Sequence, residues 1–370
     1  MGSTGYCYDL FYLYQDSPWR RIALSNQKGG SPDKFLLYGL EHFQGKGFRL
    51  GHNLNRISGK TTWVWLNWLW TALGGYGGEF GTVWASRRDL KESKAIISTT
   101  DRVGIPLVLL KWAGIIHNPI LYVSIGLPER LEKLKNSFMK GLYRSALLKT
   151  EKIVCYGFEE CARLRSWLGD NGSRVEFMPF GVDPEVFHPL PEDHWESDVI
   201  SVGADPHRDF MLLYQLAESR KDLSMSLITT PQRAALLGPP PSNLKIMTNI
   251  SPRLLLYHLA RARTVVLPVK ENCYSGATTS LLQAMAMAKP VVVSSVGAIR
   301  EGYHLVDGVN CKLVKPGNIE ELERAVSEVI SDPDYSNRIG ARARQTVVDH
   351  LSWQKYVERL ESMIQEIISR

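Results

Sequence analysis

Ser275-Gly276-Ala277-Thr278-Thr279-Ser280-Leu281-Leu282-Gln283-Ala284-Met285-Ala286 is the stretch on which the reading of this chain turns. It follows an apolar run, Thr264–Leu267, that reads as a strand, and it opens a helix, Thr278–Met287. The small residues at 275–279 let backbone N–H groups approach a ligand closely. Those groups and the helix dipole favour an anion at the helix start. The hydroxyls of Thr278 and Thr279 add donors, and Gln283, just over one turn in, reaches toward the same ligand. A diphosphate with a sugar on one side and a ribose on the other suits this arrangement. In open parallel sheets, ligands bind outside the carboxyl ends of the strands. The competing reading is an ordinary core helix, because Ser, Gly and Thr are common caps and Met285 and Met287 serve equally as core.

Working outward, strands and helices alternate on both sides of a Pro-rich segment. After it come strand Asp198–Val202, helix Phe210–Ala217, strand Leu223–Ile228, strand Leu244–Met247, helix Pro252–Ala260 and strand Thr264–Leu267. Strands Pro290–Ser294 and Cys311–Val314 and helix Glu320–Ile330 follow the central helix. Before the segment, Arg21–Ser25 reads as a strand, Asn26–Pro32 as a Gly-rich turn containing Gly29 and Gly30, and Asp33–Phe43 as a helix. A strand begins at Phe48–Leu50, and Ala95–Ser98, Ile120–Ser124, Lys152–Cys155 and Val175–Met178 read as further strands. Helices cover much of Glu129–Leu148 and Glu159–Leu168. Such alternation means parallel sheets covered on both faces. It predicts an α/β chain of two Rossmann-like domains with a cleft between them. The expected domains are 1–188 and 189–352, joined near Pro179–Pro191, and an amphipathic helix Trp353–Ile368 within 353–370 returns toward the first.

Length and composition agree with two ordinary domains. The chain has 370 residues, 44% of them hydrophobic and 22% charged, which excludes a disordered tail, a collagen and a coiled coil. Cysteines at 7, 155, 161, 273 and 311 form no CxxC and leave one over, so no disulfide framework or metal finger fits, and a reducing, cytoplasmic setting is expected. The start, MGSTGYCYDL, lacks the basic and apolar regions of a signal peptide. Charge is uneven. To Leu190 there are 24 Lys+Arg against 17 Asp+Glu, a surplus of +7, whereas the remainder has 20 against 21. A basic first half suits an anionic partner, with a merely solvated surface as the plain alternative.

No segment reads as spanning a bilayer. The longest apolar stretch, Gly104–Leu127, is split by Asn118-Pro119 into a helix and a strand. Lys60–Leu73, KTTWVWLNWLWTAL, carries Trp63, Trp65, Trp68 and Trp70 just after Arg56 and Lys60. It reads either as a peripheral anchor at an anionic membrane surface or as a buried helix that uses Trp for volume.

Three motifs mislead. Ser58–Thr62 (SGKTT) imitates the end of a P-loop, but Leu54 stands where the loop needs a Gly. The run Gly74–Gly78 lacks the third Gly of a dinucleotide fingerprint and reads as the end of the Trp-rich helix. Asp332-Pro333-Asp334 is a bare DxD in a turn-forming context, better suited to capping than to metal. No His/Cys/Asp/Glu cluster at ligand spacing stands out, so a metal-independent chemistry is expected.

The order of the pieces resembles that of the retaining GT-B glycosyltransferases, family 4 (glycosyltransferase group 1) in particular. LLQAMAMAKPVVVSSVGAIREGYHLVDGVNCKLVKPGNIEEL resembles that family's donor-site helix and the elements after it; FMPFGVDPEVFHP its interdomain linker; SVGADPHRDF the first turn of its second domain; QKGGSPDKFLLYGLEHFQGKGF its first Gly-rich loop. The resemblance implies transfer of a sugar from a nucleotide diphosphosugar (UDP- or GDP-linked) to an acceptor hydroxyl with retention. No side-chain base is implied, since the leaving diphosphate takes the acceptor proton. The family's two Glu, eight residues apart, correspond here to Ser275 and Gln283. Its Arg and Lys on the diphosphate follow a Gly. Gly203 is kept, Ala204 stands for the Arg, and Arg208 lies one place before the Lys. A His common at a strand end of the first domain corresponds to Ile125. The implied donor site is therefore Gly29, Gly30, Arg208, Ser275, Gly276, Ala277, Thr278, Thr279 and Gln283. The expected partners are the donor and a saccharide or lipid-linked acceptor, with an anionic membrane surface on the first domain and no nucleic acid. The departures at Ala204, Ser275 and Ile125 keep a second class open, a GT-B chain without chemistry that serves as a binding subunit.

Overall fold

A computed structural model describes residues 6–26, 31–55, 64–72, 75–191 and 194–369. The chain divides into two compact units, residues 1–178 together with 357–370, and residues 179–356. The segment Pro179–Pro191 thus goes with the second unit, and the last helix, Trp353–Ser369, joins the first unit from Val357 onward.

In the first unit the strands are β1 Tyr8–Leu13, β2 Leu50–His52, β3 Ser93–Ser98, β4 Ile120–Ser124, β5 Lys152–Cys155 and β6 Val175–Phe177. They form one sheet in the order β2-β1-β3-β4-β5-β6, every pairing parallel. Buried Phe11, Ile96, Ile120, Tyr122 and Ile153 pack against Val83, Val103 and Leu164 of the covering helices. Each such side chain contributes ~1.5–3 kcal/mol by leaving water.

The second unit holds β7 Ser197–Val202, β8 Met225–Thr229, β9 Leu244–Thr248, β10 Ala262–Leu267, β11 Val291–Ser294 and β12 Lys312–Val314. Its sheet, also parallel, runs β12-β11-β10-β7-β8-β9. Strand order reverses between β7 and β10, which are direct neighbours. At such a switch point the connections leave toward opposite sides and open a crevice beyond the carboxyl ends. Here those ends lead to Gly203 and Pro268, and the helix Thr278–Ala286 follows β10.

Several local expectations need correction. Arg21–Ser25 is not a strand but lies in a helix, Pro18–Ser25. Pro18 supplies the fixed φ of a first helical turn, and the short stretch carries no alternation able to resist it. The strand that opens the sheet is Tyr8–Leu13, whose last four residues are buried. Asp33–Phe43 is interrupted at Tyr38 (φ 53°) and Gly39 (φ 86°), leaving a 3-10 turn Lys34–Leu37 and a helix Leu40–Gly45. Glu129–Leu148 is two helices, Leu127–Glu132 and Ser137–Leu147, the second capped by Asn136. The helix Pro333–His350 has no counterpart in the sequence reading. Asp332 caps it by accepting from the Tyr335 amide at 2.9 Å, the role the DxD context suggested. Gly29, Gly30 and the SGKTT motif lie outside the described residues.

Candidate donor site in the second unit

The loop after β7 and the loop after β10 are stitched together. Arg208 and Val269 form an antiparallel bridge, the Lys270 amide donates to the His207 carbonyl at 2.8 Å, and the Asp209 amide donates to the Pro268 carbonyl at 2.9 Å. Asp209 caps helix Phe210–Ser219, its side chain accepting from the Leu212 amide. Arg208 itself is no surface residue. Its side chain is 3% exposed, and it runs directly over Gly203, where a Cβ would come within 2.3 Å of Nε. Only glycine at 203 leaves that path open. The guanidinium donates from Nε to Asp205 Oδ2 at 3.1 Å and from Nη2 to Ser280 Oγ at 3.0 Å. Burial pulls its pKa well below the ordinary value, to about 10, against the opposing pull of Asp205, so it remains a cation at neutral pH. Nη1 is buried with no partner among the described residues.

Ser280 belongs to the first turn of helix Thr278–Ala286, which joins Arg208 to Thr278 and Thr279 in one locus. The N-cap residue, Ala277, has φ 57° and supplies no side-chain cap. A non-glycine residue in that region costs of order 1–3 kcal/mol and persists where its surroundings enforce it. Here the enforcement is visible. A Cβ at Gly276 would stand 2.1 Å from Cγ2 of Ile299, so the turn is pressed against a fully buried side chain. Before it, Asn272 staples the loop. Its Oδ1 accepts from the amides of Tyr274 and Ser275 at 3.0 and 2.6 Å, and its Nδ2 donates to the carbonyls of Lys270 and Ser275, both at 2.8 Å. Ser275 is half-buried on that loop, and Gln283 is 4% exposed in the second helical turn. Glu271 accepts from the Gly297 amide at 3.0 Å and is paired with Arg300.

The chemistry of this locus is that of an anion receptor: a desolvated cation with a spare N–H, hydroxyls, and a helix start without a side-chain cap. Sequence reasoning selected Arg208 and the helix but missed Asp205, His207, Asn272, Tyr274 and Ser280. Asn272, two and three residues before the amides it accepts, carries the turn-forming signal that could have identified it. The contact of His207 with Tyr274 spans 67 residues and left no local trace.

In the first unit, the end of β4 is held by acids. Asp101 Oδ2 accepts from the Ile125 amide at 3.2 Å and Oδ1 from Tyr122 Oη at 2.8 Å. Glu160 Oε1 accepts from Ser124 Oγ at 2.6 Å and the Gly126 amide at 2.7 Å. Both carboxyls are almost wholly buried, and desolvation raises both pKa values. The nearby Asp101 charge pushes Glu160 further, well above its ordinary range. Of the tryptophans, Trp68 is 71% exposed, whereas Trp70 is packed against Phe80 and donates to Tyr143 Oη at 2.9 Å. Trp63 and the Trp65 side chain lie outside the description. Among the described residues no helix is long and apolar enough to cross a membrane.

Residues 225–332 match the family model "Glycosyl transferases group 1". The match includes the Asn272 loop and the helix Thr278–Ala286 but begins after Arg208. Among curated proteins, the chain is 27% identical over 209 residues to the MMP alpha-(1->4)-mannosyltransferase of Mycolicibacterium hassiacum, covering 53% of this chain and 49% of the relative. It is 27% identical over 228 residues to the alpha-maltose-1-phosphate synthase of Mycolicibacterium smegmatis, covering 53% and 58%. The chain thus spans about half the length of the curated relatives it matches. Among solved structures it resembles sucrose-phosphate synthase from Thermosynechococcus elongatus, with a TM-score of 0.71 at 15% identity over 98% of this chain and 99% of that one. It also resembles Anabaena HepE in complex with UDP and glucose, with a TM-score of 0.69 at 14% identity over 97% and 100%. These likenesses show the fold. The chain has a GT-B fold of two parallel-sheet α/β domains, and a segment of its second unit, residues 225–332, matches the glycosyltransferase group 1 model.

Proposed function

We propose that this protein is a retaining hexosyltransferase of the family 4 type, moving a sugar from a nucleotide diphosphosugar to an acceptor hydroxyl. The observation that carries the proposal is Arg208, buried and charged, with Nη1 unpartnered and Nη2 on the first turn of helix Thr278–Ala286. A desolvated cation with a spare donor is costly to keep and suits an anion that arrives with its own charge. In the reaction, the bond from the sugar C1 to the diphosphate oxygen breaks and a bond from C1 to the acceptor oxygen forms on the same face. The acceptor proton passes to the departing diphosphate. The protein's part is to stabilise the charge growing on that diphosphate, which Arg208, the hydroxyls of Thr278 and Thr279 and the amides at 276–279 are suited to do. Gly29 and Gly30 remain candidates for the same ligand, and Gln283 for the ribose by a neutral hydrogen bond. No metal enters this scheme. The curated relatives are named for mannosyl transfer and for maltose-1-phosphate synthesis, and Anabaena HepE has structures with UDP and with UDP-glucose, so UDP- and GDP-sugars are the first donors to test.

A saccharide or lipid-linked acceptor belongs with the first unit, whose surface is basic and aromatic. Trp68 and Phe138 are 71% and 74% exposed, and Lys133 and Lys135 are exposed beside Phe138. We read these exposed aromatic and basic residues of the first unit as a peripheral contact with an anionic membrane on the cytoplasmic side, in the service of glycolipid, envelope or polysaccharide synthesis. A second reading, a binding subunit without chemistry, is favoured by Ser275, Ala204 and Ile125 at three positions where family members carry polar or charged groups. A panel of UDP- and GDP-sugars, read by thermal shift and by donor hydrolysis with and without EDTA, separates the two. Binding with hydrolysis that survives the chelator supports the transferase. Binding without turnover in the presence of any acceptor extract favours the subunit. Absence of all binding removes both.

A further inference from the structure

His207 stands next to Arg208 on the loop after β7, and its ring reaches the loop after β10. Nε2 lies 2.9 Å from Tyr274 Oη, with the two rings edge-on at 5.1 Å and 87°. Tyr274 directly precedes Ser275, so the pair clasps the two loops that lead into the Arg208 locus. The backbone around the clasp is fixed. The His207 amide donates to Asp205 Oδ1 at 2.9 Å, its carbonyl accepts from Lys270, and Asn272 holds the Tyr274 amide. Most charged groups at these segments are engaged, Asp205 with Arg208, Asp209 as a helix cap, Glu271 with Arg300, and Arg233 through Nε on the Ala204 carbonyl at 3.0 Å, while the exposed Lys270 ammonium has no partner among the described residues. Among the described residues, Nδ1 of His207 has no protein partner.

A phenol that donates to Nε2 leaves the neutral ring's proton on Nδ1. The hydrogen bond at one imidazole nitrogen thus decides that the other is a donor. We propose that His207 is a second ligand for the anion bound at Arg208, giving Nδ1–H to a diphosphate oxygen, with Tyr274 as the positioning residue that sets the tautomer. This rests on the donor reading above and adds to it. It explains how a chain with Ala204 in place of a cation still offers two side-chain N–H donors from one loop, Nη1 of Arg208 and Nδ1 of His207. It also makes the recognised group a diphosphate in particular, since two donors from adjacent residues suit two phosphoryl oxygens better than one point charge.

The test is calorimetric binding of UDP-glucose, GDP-mannose and inorganic pyrophosphate to the full chain and to five variants. His207→Ala is expected to weaken the ligand that binds by roughly tenfold, the range for a hydrogen bond to a charged group. His207→Asn, whose amide nitrogen occupies the place of Nδ1, should recover most of that loss, and His207→Gln, whose amide lies where Nε2 was, should not. Tyr274→Phe should weaken binding severalfold and move the His207 ring nitrogens in a ¹⁵N spectrum toward a mixture of tautomers, a signature that a packing role leaves unchanged. Equal affinity for His207→Ala and wild type, or equal behaviour of the Asn and Gln variants, overturns the assignment while leaving the donor site intact, provided Arg208→Ala still weakens binding. Failure of the wild-type chain to bind any of the three ligands overturns the donor reading and this inference together.

Discussion

Arg208→Met separates a residue kept for binding from one kept for folding. Met matches the Arg side chain as far as Nε and removes its charge, its donors and the volume of the guanidinium head. In the unliganded chain, burial lowers the Arg208 pKa to about 10 although Asp205 lies 3.1 Å away. At about 1.4 kcal/mol per tenfold, that displacement means the charged form is held at a net disadvantage of roughly 3 kcal/mol. That net figure already contains the pull of Asp205, and the one hydrogen bond outside it, from Nη2 to Ser280, offsets ~1.5–3 kcal/mol. The Asp205 side chain is 31% exposed and can be rehydrated when its partner goes, so the penalty of a stranded buried charge is small. The sum is near zero. Arg208→Met should therefore leave the melting temperature of the second unit within a few degrees of wild type, at about 2–4 °C per kcal/mol for a unit of this size.

Binding should respond very differently. A diphosphate that meets Nη1 gains a charge-assisted bond without a fresh desolvation cost, because the guanidinium is already dry. Loss of that bond is worth ~1.5–3 kcal/mol, or roughly 10- to 150-fold in Kd. The assay is differential scanning calorimetry of both proteins alongside titration with whichever nucleotide sugar the panel selects. A variant that melts much lower yet binds equally well would make Arg208 a structural strut, and the reasoning from its orphaned nitrogen would be wrong.

Three further outcomes follow from the same geometry. Gly276→Ala should destabilise the second unit by ~1–3 kcal/mol and weaken nucleotide-sugar binding, and Ile299→Ala in the same chain should return part of both losses; additive effects in that cycle would refute the contact. Burial and the Asp101 charge raise the Glu160 pKa well above its ordinary value in the fold, while the unfolded chain ionises it in the usual carboxylate range. Its contribution to stability is therefore complete at low pH and declines as pH rises toward its folded value, and Glu160→Gln should flatten that decline in chemical denaturation between pH 4.5 and 7. Trp68→Ser with Phe138→Ser should abolish flotation with anionic liposomes at low salt without altering the melting temperature, whereas Trp70→Ser should lower stability through its lost contacts with Tyr143 and Phe80; retained flotation in the double variant would exclude this contact.

The parts legible in the sequence were those whose physics is local. Val291–Ser294 and Ile120–Ser124 are continuous β-branched and apolar runs, which only a strand buried on both faces requires, and their limits came within a residue. Thr278–Ala286 was legible because a run of small residues passes into an apolar helical pattern. Pro18–Ser25 was misread because eight residues with Pro at the first turn carry too little periodicity to separate helix from strand. At the site, the difficulty is one of distance along the chain. Arg208 is recognisable beside Gly203, yet its burial depends on Ser280, 72 residues away, and the tautomer proposed for His207 depends on Tyr274, 67 residues away. Neither pairing has a spacing that a linear pattern could register, because it is the reversal of strand order between β7 and β10 that brings the two loops together. That reversal also bears on the changes at Ala204, Ser275 and Gln283. Where two loops share one crevice, a cation or hydroxyl lost from one can be supplied by a neighbour on the other, so a departure from a family's pattern at single positions is weak evidence against binding. The donor capacity of this crevice has to be counted over both loops, and on that count Arg208 Nη1 and His207 Nδ1, both without a protein partner among the described residues, are where an incoming anion has most to gain.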